Sequence, residues 1–384
     1  MDLSLTDDQQ AIAQLVREMC TTHFDRDRIR SLEDRPGVFP ESLWKHFTSS
    51  GLAGITIPSR YGGEGAGLTD LAVVAEELGR AAAPLTPLIS SVLCGGLLSR
   101  LGDDEQRAEW LPQLAAGTAL ATMAWLEPTG GYHPDEITVS AEATGAEIRL
   151  RGDKHFVPHA EDAAVFLVPA RDSETGAVEL YLVAAGPGVE ARAHRTMSGE
   201  LLYTVTFDAT IPARGRLGEP GAGWSALDEA MLDLAAALAC YAAGGARRAL
   251  EMATEYAKTR EQFGQPLGAF QAIAHRLADD LVAVEGAETL AREAAWARDQ
   301  DGDSRLLATM AKQHCGRVFR DVAASAHQIF GGMGFTVDMD IQLYSRRAKQ
   351  LQLLWWDNRY LEARMAELVL DGAEPGVPPP FIER

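Results

Sequence analysis

The period of the apolar pattern changes twice along this chain, and the two changes divide what it can fold into. From Thr6 to about Leu120, apolar residues recur at helical spacing. Thr6-x-x-Gln9 reads as a capping box, in which each side chain accepts the other residue's backbone N–H. Ile12, Leu15, Val16 and Met19 then follow on one helical face. Gly51, Pro58 and the cluster Gly62-Gly63-Glu64-Gly65 interrupt the pattern before a further helical run from Leu68 to Arg80. Glu76 and Glu77, near the end of that run, read as a solvated face.

Between about Ala121 and Gly221 the period shortens. Ile137-Val139-Ala141 and Glu147-Arg149-Arg151 alternate in short runs. Ala164 to Val168, Val178 to Val183 and Leu202 to Phe207 are β-rich and punctuated by Gly, Pro and Asp. From Ser225, which caps with Asp228, helix returns and runs to about Thr259. Further segments cover Phe270 to Asp299, Arg305 to Ile329 and Leu351 to Leu370. Long amphipathic segments with short connections favour an antiparallel bundle. The expected class is α+β: a helical N-terminal domain over 1–120, a central antiparallel β domain over 121–224 and a C-terminal four-helix bundle over 225–384. Pro375 to Pro380 reads as a loose tail.

Composition removes several function classes. A formal charge of −20, dispersed rather than gathered in a tail, argues against nucleic acid, whose phosphates need clustered Lys and Arg. No apolar run reaches membrane-spanning length, and the acidic start Met-Asp-Leu-Ser-Leu-Thr-Asp-Asp lacks a signal-peptide character, so a cytoplasmic location is expected. Cys20, Cys94, Cys240 and Cys315 lie far apart, in neither disulfide nor zinc spacing. His155 and His159 are four apart on a predicted strand, but no third ligand joins them, and no metal is expected.

Two short stretches carry the functional signal. Arg260-Glu-Gln-Phe263-Gly264 ends a predicted helix, with an Arg fork suited to pyrophosphate and an aromatic face for a flat ring. About 65 residues later come Gln328-Ile-Phe-Gly331-Gly332-Met-Gly-Phe, whose glycines permit close backbone approach and positive φ. At this spacing the pair resembles the way the acyl-CoA dehydrogenase family holds FAD, and the helix–β–helix order resembles that family from end to end. The resemblance continues through Trp125-Leu-Glu127-Pro128 and Gly152-Asp-Lys154-His-Phe156-Val-Pro158. It implies FAD as cofactor, contacted by Trp125, Phe156, Arg260, Phe263, Gln328, Gly331 and Gly332. Pro158 and Leu126 stand where the family has hydroxyl residues, and proline offers no donor to flavin N5.

The resemblance also implies a reaction: α,β-dehydrogenation of an acyl thioester, with a carboxylate taking the α-proton. Ungapped counting puts Trp355 where the family's commonest base, a Glu, stands. Asp357 lies two residues on, and Asp233 lies within about one residue of the base in a second version of the family. Three readings stay open here: Asp357, Asp233, or no carboxylate base. Trp355 and Trp356 either narrow the acyl pocket or belong to the bundle core. Arg346, Arg347 and Lys349 are the local basic residues for CoA phosphates, whereas Ala235 stands where the family often has Arg. The substrate is therefore acyl-CoA or an acyl carrier protein thioester. The implied electron acceptor is an electron-transferring flavoprotein, and the implied assembly a homo- or heterotetramer. The alternatives on the same fold are a base-less subunit of a heteromeric dehydrogenase and a repurposed flavoprotein, either an oxygenase or a carrier-protein-linked biosynthetic enzyme.

Overall fold

The structure is a computed structural model that describes residues 3–24, 41–300 and 302–371. In chain order the helices α1 (Asp7–His23), α2 (Glu41–Ser49), α3 (Leu68–Arg80), α4 (Gly96–Leu101) and α5 (Asp104–Ala115) come first. Strands β1 (Ala121–Met123), β2 (Ser140–Thr144), β3 (Glu147–Pro158), β4 (Val165–Asp172), β5 (Val178–Ala184), β6 (Val189–Arg195), β7 (Leu201–Pro212) and β8 (Arg216–Leu217) follow. The long helix α6 (Gly223–Thr259) leads through a hairpin, β9 (Glu261–Gln262) and β10 (Gln265–Pro266), to α7 (Gln271–Arg298), α8 (Arg305–Phe330), α9 (Ile341–Leu353) and α10 (Asn358–Ala366). The tail Pro375 to Pro380 lies outside the described residues.

Internal contacts sort the chain into two compact units. One gathers Thr21–Gly67 and Pro84–Leu234 around the sheet. Its strands run in the order β6-β7-β3-β2-β4-β5-β8, with β1 alongside β4. Most pairings are antiparallel, but β1 and β2 both pair β4 in parallel. Alternation along β3 and β7 sends Ile148, Leu150, Val205, Phe207 and Ala209 into a shared core with Phe166, Val168 and Tyr181. Strand β6 alternates only Val189 and two small alanines, Ala191 and Ala193, with polar residues, and nearly all of it is exposed, so its signal is weak.

The other unit gathers Met1–Cys20, Leu68–Ala83 and Ala235–Arg384. The capping box at its start is formed: Thr6 N–H donates to Gln9 Oε1 (3.1 Å) and Gln9 N–H to Thr6 Oγ1 (3.2 Å). Helices α3 and α6 meet backbone to backbone, because a Cβ on Gly79 would stand 1.9 Å from the Tyr241 carbonyl and one on Gly244 1.9 Å from the Glu76 carbonyl. Glu76 and Glu77 are not a solvated face. Glu77 is buried and ion-paired with Arg17 and Arg80, and Glu76 pairs with Arg292 of α7. The helical period alone does not say which face a neighbour will cover.

Two helix boundaries also differ from the periodic reading. Helix α6 starts at Gly223, so Ser225 lies inside it and donates to the Ala222 carbonyl instead of capping. The expected helix from Leu351 to Leu370 begins at Ile341 and breaks between Leu353 and Asn358. The break falls on Trp355 (φ 58°) and Trp356 (φ 65°), both in the left-handed region that bulky residues rarely adopt.

Candidate active site

In the sheet unit a bulge positions the aromatic candidates. The register between β3 and β7 slips between Lys154 and Val157, which inserts one extra residue on β3, and Phe156 in the bulge has φ 54°. Phe156 is left half-exposed. His155 N–H donates to the Leu126 carbonyl (2.7 Å), so the bulge is tied to the segment that carries Trp125. The same bulge breaks the alternation that would have put His155 and His159 on one face. His159 bonds Thr86 Oγ1 through Nε2 (2.6 Å).

Beneath that segment lies a buried ion pair. Lys154 Nζ donates to Glu127 Oε1 (2.8 Å) and to the Trp125 carbonyl (3.1 Å). Glu127 also accepts the backbone N–H groups of Thr138 (2.7 Å) and Val139 (3.0 Å) and the Thr138 hydroxyl. Burial pushes the Lys154 ammonium down to about 8 against the pull of Glu127. Burial works to raise the Glu127 carboxyl, but the Lys154 charge and these hydrogen bonds outweigh it and hold the group below its ordinary value. Glu127-Pro128 and Gly152-x-Lys154 are thus two halves of one anchor. Trp125 packs edge-on against Tyr132 and Trp224, and its buried Nε1–H has no hydrogen-bond acceptor among the described residues. Tyr132 and Trp224 were not anticipated from the sequence. Thr122 donates its hydroxyl to the Pro158 carbonyl (2.7 Å), so that nearby hydroxyl is already committed.

In the bundle unit, Arg260 follows α6 and opens the hairpin, which closes when Leu267 N–H donates to the Arg260 carbonyl (2.8 Å). The two-residue link has positive φ at both positions, 55° at Phe263 and 82° at Gly264, a type I′ pattern that favours Asn-Gly. Phe263 is the wrong residue for that turn and is 93% exposed. A strained, solvent-facing aromatic points to a ligand or partner surface. At the end of α8, Gly331 has φ 60° and ψ −140°, a conformation in practice reserved for glycine. Tyr256 and Phe330 pack ring to ring at 4.5 Å, joining the turn before Arg260 to the turn before Gly331. Gln328 and Gly332 are exposed at the same helix end.

Gly331→Ala is expected to destabilise the chain by about 1–3 kcal/mol, because Ala must hold a backbone conformation its Cβ disfavours. Urea unfolding measures the loss, and a change below about 0.5 kcal/mol would refute the assignment. No neighbouring atom lies within 4 Å of the added methyl, so backbone strain is the cause.

The candidate bases are both engaged. Asp357 caps α10 by accepting Tyr360 N–H (2.9 Å). Asp233 is buried and ion-paired with Arg100. Trp355 and Trp356 are buried, and Trp356 lies against Tyr360 with Arg364 over its ring at 4.5 Å, so the pair is bundle core. Arg347 is equally buried and donates to the Ala82 carbonyl (3.2 Å) and to Gln350 Oε1 (2.5 Å), which removes it from the basic residues available to CoA. Lys349 is exposed.

In the sheet unit the exposed Phe156 ring and the orphaned Trp125 indole N–H fit a flat ring system. In the bundle unit the exposed Arg260 at a helix end, the Phe263 ring and the glycine-only turn at Gly331 fit a dinucleotide. Fold and site together define a flavin oxidoreductase of helix–β–helix build. The family models "Acyl-CoA dehydrogenase, N-terminal domain", "middle domain" and "C-terminal domain" match residues 6–118, 122–209 and 221–355. The chain belongs to the acyl-CoA dehydrogenase family. It is 32% identical to acyl-CoA dehydrogenase FadE27 of Mycobacterium tuberculosis over 92% of this chain and 94% of that protein. Butyryl-CoA dehydrogenase of Megasphaera elsdenii superposes with TM-score 0.90 at 26% identity, covering 96% of this chain and all of that one. A chain of the ChsE4-ChsE5 complex of Mycobacterium tuberculosis superposes with TM-score 0.89 at 28% identity, covering 97% and 100%. The C-terminal family match stops at Trp355, where the left-handed turn begins.

Proposed function

We propose that this chain takes part in FAD-dependent α,β-dehydrogenation of an acyl thioester, on CoA or on an acyl carrier protein. Its three functional segments are 1–120, 121–224 and 225–384. The observation that carries the reading is the pairing of the Arg260–Gly264 hairpin with the Gln328–Gly332 helix end through Tyr256 and Phe330. Arg260 binds pyrophosphate, Phe263 and Phe156 flank ring systems, and Gln328, Gly331 and Gly332 offer polar groups and backbone at close range. Trp125 supplies an N–H to bound FAD, and the Arg260–Gly264 run reaches the FAD of a neighbouring subunit. Bound FAD would supply the two-electron acceptor, and an electron-transferring flavoprotein would take those electrons on. The setting is cytoplasmic and the assembly oligomeric, with Phe263 covered by a neighbouring subunit.

A second reading is favoured by the two engaged carboxylates: this chain is the base-less subunit of a two-protein dehydrogenase. Similarity to a chain of the ChsE4-ChsE5 complex supports it.

The test is the visible spectrum of the purified chain during anaerobic titration with acyl-CoAs. Yellow protein that bleaches near 450 nm with one substrate class is the expected result. Asp357→Asn and Asp233→Asn then identify the base, the correct one lowering the reduction rate by about 100-fold or more. Yellow protein that bleaches with no substrate favours the subunit reading, and protein that cannot be loaded with FAD overturns both.

A further inference from the structure

Lys312 lies on the inner face of α8, at helical spacing from the buried Ala308, Cys315 and Phe319. Its Nζ donates to the carbonyls of Leu351 (3.1 Å) and Trp356 (2.9 Å). Leu351 belongs to the last turn of α9, and Trp356 is the second residue of the left-handed pair. One ammonium therefore bridges both ends of the turn. Asp357 follows directly and caps α10. Burial pushes the Lys312 ammonium down to about 7, and the Asp357 charge opposes that fall. An alkyl side chain would fill this volume without the desolvation penalty of an amine. It would also leave the two carbonyls without their Lys312 hydrogen bonds, beside two tryptophans in a disfavoured conformation.

We infer that Lys312 is a positioning residue whose two hydrogen bonds hold the Trp355–Trp356 turn and thereby place Asp357 at the head of α10. The claim about the turn concerns the folded chain alone. Its consequence for catalysis rests on the dehydrogenase reading, because the turn stands where the family's commonest base is expected.

The test compares wild type, Lys312→Met and Lys312→Gln in the full-length, FAD-loaded chain. Gln keeps an N–H donor with no charge and secures the comparison if the Met variant fails to fold. Amide hydrogen exchange is read over residues 354–360 and over the inner face of α7, Ala287 to Ala295. The expected result is exchange at least tenfold faster in 354–360 for Met, less for Gln, with α7 within twofold of wild type. Unchanged exchange at 354–360, or acceleration spread evenly through the bundle, would overturn the inference. Anaerobic flavin reduction by an acyl-CoA supplies a second readout, with the rate expected to fall at least tenfold and half-saturation to stay within threefold. A loosened turn with an unchanged rate would leave Lys312 a structural residue and refute its positioning role. A wild-type chain that reduces no flavin on its own would favour the subunit reading and remove the consequence for catalysis, while the exchange comparison would still decide the claim about the turn.

Discussion

Lys154→Met is expected to cost about 3 kcal/mol of stability and most of the chain's ability to retain flavin, more than any surface substitution. The side chains of Lys154 and Glu127 are both buried, so removing the cation strands a carboxylate away from water. Hydrogen bonds from Thr138 and Val139 remain and keep the loss near the lower end of the range for broken buried pairs. The Trp125 carbonyl also loses its donor, which loosens the segment tied to the Phe156 bulge. Lys154→Met with Glu127→Gln should recover part of the stability, because a neutral amide tolerates burial and its single oxygen can still accept one of those N–H groups. Urea unfolding of the three chains, with bound flavin read at 450 nm, checks the scheme. A single variant within about 1 kcal/mol of wild type would refute it.

The same pair gives a pH signature. Lys154 has a folded-state pKa of about 8, below its ordinary 10.5, so between these values the unfolded chain holds more protons. Stability from this group therefore rises as pH climbs from about 8 towards 10.5. Lys154→Met should remove that contribution.

Phe263→Asn is expected to separate stability from function. Asn adopts left-handed backbone more readily, so the hairpin should gain a few tenths to about 1 kcal/mol. Phe263 is 93% exposed and has little intramolecular packing to lose. Loss of an aromatic face against a ring system of the cofactor is worth about 1–3 kcal/mol by analogy with base stacking, so FAD affinity should fall about 5- to 150-fold. Thermal melting of the flavin-free chain and FAD titration measure the two effects. Unchanged FAD affinity would remove Phe263 from the cofactor site. A drop in flavin-free stability would show that the turn needs the ring.

Much of the architecture was legible because hydrophobic period is a local property. The capping box at Thr6 and Gln9, the change of period near Ala121 and the helix ending at Thr259 each follow from neighbours in the chain. The FAD signal was legible through resemblance, because the Arg260-Glu-Gln-Phe-Gly and Gln328-Ile-Phe-Gly-Gly runs are contiguous and similar to those with which the family holds FAD. Strand β6 and the break at Trp355 were not legible, the first because its apolar side is only Val189 and two alanines and the second because two tryptophans carry no turn signal. Lys312 left a trace that went unread: a cation at helical spacing among apolar residues.

The sequence by itself determined the order of elements and the family, and it nominated residues for a flavin. Tertiary structure alone decided what the charged residues do. It turned Glu77 and Arg347 inward, committed Asp357 to a helix cap, paired Asp233 with Arg100 and aimed Lys312 at the Trp356 carbonyl. The physical reason is that the state of a charge depends on burial and on partners distant in the chain, which no local pattern records.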